Sequence, residues 1–356
     1  MKTIWMNEGA EYDLLIMAGD VGGTNTNLAM VGEKDGKFNI LLECVFKTQE
    51  VKSFIVPFKD TITEFQTRFP GIKPAKCCVS GAGPVRDNVC RMTNASWQID
   101  GNKVFDETGI RCQVINDFTA ISYGVLLLDP ENPEQITRLP RVDGEFTKPS
   151  GPMRAIVGAG TGLGVGFVAV IDGKPVVFPS EGGHQDFSAF DEDSRLLQKY
   201  LSDKFGEIPD YEKAVSGPGL VNMFYFFRDV KKISMTGAMK EINEAPDDEK
   251  PKLISKNSFS CPECRQLLQF FIRAYARIAS SVAVTVQPKA GLYLAGGIVG
   301  KDEPHYLADN CFMNSFEYNV VPGIRDLLKT VPVYIVRDYT ISIYGAANAA
   351  KWLIED

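Results

Sequence analysis

Glycine sets the first constraint on this chain. Of its 32 glycines, several stand immediately after short apolar runs. Leu14-Leu15-Ile16-Met17-Ala18 runs into Gly19-Asp20-Val21-Gly22-Gly23-Thr24, and Ala155-Ile156-Val157 runs into Gly158-Ala159-Gly160-Thr161-Gly162-Leu163-Gly164. Gly291-Leu292-Tyr293-Leu294-Ala295 meets Gly296-Gly297-Ile298. A buried strand that ends in glycine can turn tightly or admit a ligand to the main chain, because no Cβ stands in the way. Apolar residues resume as Leu28-Ala29-Met30-Val31 after the first turn and as Val165-Gly166-Phe167-Val168-Ala169-Val170 after the second. Turn signals then follow at 32–36 and 172–174. The pattern predicts two β-hairpins. A P-loop or dinucleotide fingerprint requires a helix directly after its glycines, and no G-x-x-x-x-G-K-[ST] occurs.

The strand–glycine–hairpin unit near residues 20 and 160 is a weak internal repeat. It predicts two related α/β halves with a ligand in the cleft between them. Helical period is clearest where Leu267, Phe271, Ala274, Ile278 and Val282 line one face after Pro262, and again over Glu192 to Phe205. Residues 129–153 and 242–262, rich in Pro, Asp, Glu and Lys, read as connections or surface insertions.

Composition narrows the partners. There are 38 Lys+Arg against 45 Asp+Glu in 356 residues, a net charge of −7. Such a surface repels a phosphodiester backbone, so nucleic acid is excluded as a partner. No apolar run approaches the roughly 20 residues of a membrane helix, so no membrane association is expected. The first thirteen residues carry three acidic side chains and do not read as a secretory signal. Eight cysteines are too few for a disulfide scaffold, and several sit in apolar stretches, pointing to the cytoplasm.

Several groups carry chemistry. Asp20 stands beside consecutive amides and a hydroxyl in Asp20-Val21-Gly22-Gly23-Thr24-Asn25, where phosphate can approach and the carboxylate can hold Mg²⁺ directly or through water. A plain hairpin turn explains that segment equally well, but its recurrence at Gly158–Gly162 favours phosphate binding. Asp117, after the apolar Val114-Ile115, should sit at a strand's carboxyl end. It reads either as a base for a substrate hydroxyl or, more simply, as a helix N-cap. Glu181 and His184 flank two glycines and could converge on one polar ligand, although a lone His is more often structural. Glu212 alone reads as a solvated helix residue, and Ser216-Gly217-Pro218-Gly219 as a rigid turn that caps a helix or contacts a nucleotide. Cys261-Pro262-Glu263-Cys264 lacks a second ligand pair and reads as structural, not as zinc.

Taken together, these segments resemble the bacterial-type glucokinases that lack the zinc motif, within the actin-like superfamily of hexokinases and Hsp70. The resemblance runs from about Ala18 to Trp352. It is carried by Gly19–Thr24, Met92-Thr93-Asn94 with Trp97, Asn116–Ala120, Gly160–Gly164, Glu181–His184, Ser216–Asn222, Leu294–Ile298 and Tyr344–Ala347. It implies two actin-like (ribonuclease-H-like) α/β domains with a ligand cleft between them, a small one at 1–125 plus 338–356 and a large one at 126–337. It implies ATP-dependent phosphorylation of the glucose 6-hydroxyl, with ATP and Mg²⁺ as cofactors and a homodimer as the assembly.

Residue by residue, the resemblance makes Asp117 the base facing the 6-hydroxyl, and Asn94, Asn116, Glu181, His184 and Glu212 the partners of the other sugar hydroxyls. Gly19, Asp20, Gly22, Gly23, Thr24 and Asn25, with Gly160, Thr161 and Gly162, become the phosphate loops. Ser216, Gly217, Gly296 and Gly297 fall around the adenosine. The negative net charge is then no obstacle, since backbone amides and Mg²⁺ rather than Lys or Arg meet the phosphates. Asp117 needs no large pKa shift, because an ordinary Asp is already ionised at neutral pH. Departures from the family are an N-terminal extension of about a dozen residues and a longer segment from Asp302 to Val331.

Three rivals remain in view. A kinase of another or broader hexose set has the same spacing. A non-catalytic sugar-sensing regulator on the same fold would carry a helix-turn-helix ahead of Gly19, for which the preceding eighteen residues are too few. An Hsp70-like ATPase would need a further domain after Tyr344–Ala347.

Overall fold

The computed structural model describes residues 1–92 and 95–355. The chain divides into two compact units. One comprises Met1–Leu128, Ile171–Phe178 and Asp338–Asp356; the other comprises Asp129–Val170 and Pro179–Arg337.

The sheet of the first unit runs Lys2–Trp5, Lys37–Lys47, Asn25–Lys34, Leu14–Val21, Lys76–Gly81, Arg111–Asn116. Leu14–Val21 and Asn25–Lys34 form the hairpin that the first glycine cluster predicts. Leu14–Val21, Lys76–Gly81 and Arg111–Asn116 are parallel, with Val21 beside Gly81 and Gly81 beside Asn116. Their carboxyl ends therefore lie level. Side chains alternate between faces: Leu15 and Met17 pack with Phe58 and Phe65 of helix Ile55–Gln66, while Ile16 and Ala18 pack with Ala346, Ala347 and Ala350 of helix Ile341–Leu353. Burying a Phe such as Phe58 contributes about 1.5–3 kcal/mol. The small residues of the last helix allow close packing on helix Asp117–Gly124, since a Cβ on Gly345 would stand 1.9 Å from the Ala120 carbonyl oxygen. The N-terminal extension is part of this unit: Lys2–Trp5 is an edge strand, and Trp5 stacks on Phe65 at 6.0 Å.

The sheet of the second unit runs Ile136–Leu139, Val333–Val336, Gly291–Ala295, Met153–Ala159, Leu163–Ile171. The second glycine cluster closes the Met153–Ala159 and Leu163–Ile171 hairpin, as predicted. The helix over 192–205 has the predicted bounds, beginning in a capping box at Asp191 and Ser194 and ending at Gly206 with φ 77°. Helix Pro262–Val286 buries Leu267, Phe271, Ala274, Ile278 and Val282 in the core. The Tyr275 hydroxyl donates a 2.6 Å hydrogen bond to the Val157 carbonyl and pins this helix to the sheet.

Two expectations change here. Residues 129–153 and 242–262 are not all connection: Ile136–Leu139 pairs antiparallel with Val333–Val336, and Lys250–Asn257 is a helix with Ile254 buried. Short elements bordered by Pro and Asp have too few residues to show a period. Helix Pro262–Val286 is also long and apolar enough by composition to cross a membrane, but 72% of its most apolar window is buried inside the protein. The longer 302–331 segment is helical at Gly297–Leu307, Cys311–Phe316 and Pro322–Leu328, and it buries Tyr306, Phe312 and Phe316 in the core. Cys264 is buried in the first turn of helix Pro262–Val286, and no metal-binding cluster occurs among the described residues.

Candidate active site

In the first unit, the chemistry gathers at the level ends of the parallel strands. Asp20 follows Gly19 in strand Leu14–Val21, and its Oδ1 and Oδ2 accept from the hydroxyls of Ser80 at 3.1 Å and Ser342 at 3.0 Å. Burial pushes the Asp20 carboxyl up, and the two hydroxyls partly offset this. Gly19 itself is buried, where a Cβ would stand 2.8 Å from Leu28 and 2.9 Å from Val79, so packing alone requires glycine there. The turn Gly22-Gly23-Thr24 is closed by the Gly22 amide on the Asn25 carbonyl at 2.9 Å and held by the Thr48 hydroxyl on the Gly22 carbonyl at 2.8 Å. The Asn25 side chain accepts from Lys47 at 3.0 Å.

Asn116 ends its strand and caps helix Asp117–Gly124, its Oδ1 accepting the Phe118 amide at 2.8 Å. The cap is therefore Asn116, and Asp117 is the first helical residue, sharing the same amide at 2.9 Å. Burial pushes the Asp117 carboxyl up to about 6; the Phe118 amide opposes this and the charge of Asp20 adds to it. The mechanism needs no such shift, since an ordinary Asp is already ionised at neutral pH, but the folded chain imposes one. Desolvation penalises the charged form, and burial is a property of the folded chain. Asn94 lies outside the described residues.

In the second unit, the second glycine loop is bound to two neighbouring segments. The Gly160 amide donates to the Gly162 carbonyl at 2.8 Å, the Gly217 amide to the Gly160 carbonyl at 2.7 Å, and the Leu163 amide to Glu212 Oε2 at 2.9 Å. Glu212 lies in a 3-10 turn, Tyr211–Lys213, fixed by this contact, and is not a solvated helix residue. A Cβ on Gly162 would come 2.6 Å from Glu212 Oε2, so a side chain there would have to displace the carboxylate that holds the Leu163 amide. Ser216 caps helix Gly217–Asp229, accepting from the Gly219 amide at 2.9 Å and donating to the Glu212 carbonyl at 2.7 Å. Gly296, at φ 100°, joins strand Gly291–Ala295 to helix Gly297–Leu307, with a Cβ position only 2.3 Å from the Ala159 carbonyl oxygen.

Glu181 and His184 bracket the 3-10 turn Gly182–His184 and are exposed. His184 Nδ1 lies 2.9 Å from Asp210 Oδ2, and that hydrogen bond, with the nearby charges of Glu212, Asp210 and Glu181, raises its pKa. Asp210 escapes a reading of the sequence. It lies 26 residues from His184, and the two segments meet through an Asp186–Asp210 bridge that no local pattern announces.

A cleft of about 1020 Å³ within the second unit brings together Gly160, Thr161, Glu212, Ser216, Gly217 and Gly297. Its walls also hold residues the sequence reading missed, including Val221, Ser255, Ile298 and Asp302, and the lysines Lys204, Lys213, Lys252 and Lys301. Cations therefore line this cleft beside the backbone loops, a feature that the net charge of −7 does not announce.

Among solved structures, a glucokinase from an Antarctic psychrotroph superposes with a TM-score of 0.78 at 24% identity, covering 96% of this chain and 99% of that one. A ROK family glucokinase from Streptomyces griseus, in complex with glucose and AMPPNP, superposes with a TM-score of 0.61 at 17% identity, over 95% of this chain and 99% of that one. The fold is that of the sugar kinases of the actin-like ATPase superfamily. In sequence, the glucokinase of Nostoc punctiforme is 32% identical over 358 residues, which span 95% of this chain and 99% of that protein. Residues 17–352 match the Glucokinase family model. The chain belongs to the glucokinase family.

Proposed function

We propose that this protein transfers the terminal phosphoryl group of ATP to the 6-hydroxyl of glucose, giving glucose 6-phosphate and ADP. The reading rests above all on Asp117: a carboxylate at a strand's carboxyl end, next to Asp20, in a chain of the glucokinase family. At about 6, its carboxyl is more basic than that of an ordinary Asp yet still mostly ionised at neutral pH. Asp117 takes the proton of the 6-hydroxyl as the new P–O bond forms and the bond between the β- and γ-phosphates breaks. Phosphoryl transfer has a loose transition state, so positioning and charge neutralisation supply most of the rate.

The polar groups Asn116, Glu181, His184 and Glu212, together with Asn94, are assigned to the sugar hydroxyls. In neutral His184, an Nδ1–H directed at Asp210 leaves Nε2 as an acceptor for a hydroxyl. The amides of Gly22, Gly160 and Gly217 are already spent within the loops. The amides of Gly23 and Thr24, and of Thr161 and Gly162, are assigned to the phosphate oxygens, the carbonyls of Gly23, Thr24 and Gly162 being engaged by Gln49, Thr48 and Gly160. Ser216, Gly217, Gly296 and Gly297 are assigned to the nucleotide. Asp20 suits Mg²⁺, which keeps several waters and needs only one or two carboxylates beside the phosphates. When bound with ATP, the ion supplies neutralisation of phosphate charge.

A coupled phosphorylation assay across hexoses and phosphoryl donors tests the reading. Turnover with glucose and ATP is expected, and none with that pair would remove it. We also propose a homodimer, to be checked by analytical ultracentrifugation. A cytoplasmic location is proposed with the support of the eight free thiols; Cys112 donates a 3.4 Å hydrogen bond to the Cys77 sulfur and forms no disulfide with it.

A further inference from the structure

Two helices present matched residues to the cleft of the second unit. Lys250–Asn257 offers Pro251 and Ser255, and Gly297–Leu307 offers Ile298 and Asp302. In each helix an apolar residue is followed, four positions on, by a polar one, and residues so spaced share a face one turn apart, about 6 Å along the axis.

Asp302 is 4% exposed although it lines the cleft. Its Oδ1 accepts a hydrogen bond from the Ser255 hydroxyl. Among the described residues, Oδ2 carries none. Oδ2 is not among the buried polar atoms left without a partner, so it opens on the cleft, and a ligand that displaces the water there must supply a donor in its place. Burial also pushes the Asp302 carboxyl up, and a ligand donor would favour its ionised form.

We propose that Asp302, oriented by Ser255, selects adenine by accepting a hydrogen bond at Oδ2 from the exocyclic 6-amino group of the bound nucleotide. The proposal rests on reading this cleft as the nucleotide site. Gly297 opens the helix and lines the cleft with Gly160; Ile298 and Val221, on the same walls, are assigned to the face of the base, and Asp302, one turn beyond Ile298, to its edge. An ionised carboxylate only accepts. A 6-amino group suits it, whereas the 6-oxo group of hypoxanthine or guanine sets lone pair against lone pair. Sites that expect a donor reject analogues lacking it far more strongly than sites that merely lack a methylene.

The test is calorimetric binding of ADP and IDP to the wild-type protein, Asp302→Asn and Ser255→Ala, with thermal melts of each. The wild type should bind ADP at least about 10-fold more tightly than IDP. Asp302→Asn, whose amide can turn to donate to a 6-oxo group, should bring the two within about 3-fold. Ser255→Ala should fall between. Equal binding of ADP and IDP by the wild type overturns the proposal, as does an unchanged preference in folded Asp302→Asn. Should that variant not fold, an unchanged preference in Ser255→Ala has the same force. Binding of neither nucleotide would sink the reading of the cleft itself, and the proposal with it. Binding without discrimination would sink the proposal alone.

Discussion

The Ser342 hydroxyl donates a 3.0 Å hydrogen bond to Oδ2 of Asp20, joining residues 322 positions apart within one unit. The contact holds the carboxylate oxygen that Ser80 does not and ties helix Ile341–Leu353 to the end of strand Leu14–Val21. A hydrogen bond to a charged group is worth about 1.5–3 kcal/mol. Ser342→Ala should therefore destabilise the protein by about that amount in urea titrations at pH 7. It should also raise the Asp20 carboxyl further, since this hydroxyl is one of the groups holding it down.

Asp117→Asn should lower kcat by at least about 100-fold, the usual lower range for a general base. The same change should stabilise the fold. The Asp117 carboxyl sits at about 6 when folded, against 3.8 for an unburied Asp. Between those values the native state binds the extra proton, so wild-type stability falls as pH rises through that window. At pH 7 the variant should be the more stable by up to about 3 kcal/mol, with the difference vanishing below pH 4. Denaturation at the two pH values, beside steady-state kinetics, checks both halves. A variant that kept its kcat would remove Asp117 from the chemistry.

The pH profile follows from the same group. The acidic limb of kcat/KM should bend at about 6. Because the charge of Asp20 contributes to that elevation, Asp20→Asn should move the bend to lower pH whatever it does to the maximal rate. An unmoved limb would mean that another group sets it.

His184 should lose its elevated pKa in Asp210→Asn, which NMR titration of the imidazole would report. In the wild type the pair stabilises the fold at low pH, and that contribution is lost as pH rises through the raised value of His184. Glu181→Ala and His184→Ala should each raise the KM for glucose far more than that for ATP. Equal effects on both would speak against sugar contacts.

Two glycines separate packing from binding. A Cβ on Gly296 would overlap the Ala159 carbonyl at 2.3 Å, whereas none of the surrounding atoms comes within 4 Å of one on Gly160. Gly296→Ala should fold poorly. Gly160→Ala should melt like the wild type but raise the KM for ATP by about 10-fold or more, if phosphate oxygens approach that loop. A normal KM would leave Gly160 as a turn and nothing else.

Much was legible before folding because it is local. Strand-ending glycines, the helix over 192–205, the amphipathic face from Leu267 to Val282 and the Ser216 cap depend on turn stereochemistry and period, which neighbours in sequence decide. The short elements Ile136–Leu139 and Lys250–Asn257 were not, because four to eight residues bordered by Pro and Asp carry no resolvable period.

The amino-acid sequence by itself determined the residue types, the two glycine hairpins and membership of the glucokinase family. The tertiary structure alone decided which distant groups meet and how much water each keeps. It paired Asp20 with Ser342, His184 with Asp210 and Asp302 with Ser255, and it buried Asp117 enough to raise its carboxyl to about 6. Propensity acts between neighbours in sequence, whereas desolvation and charge pairing act between neighbours in space.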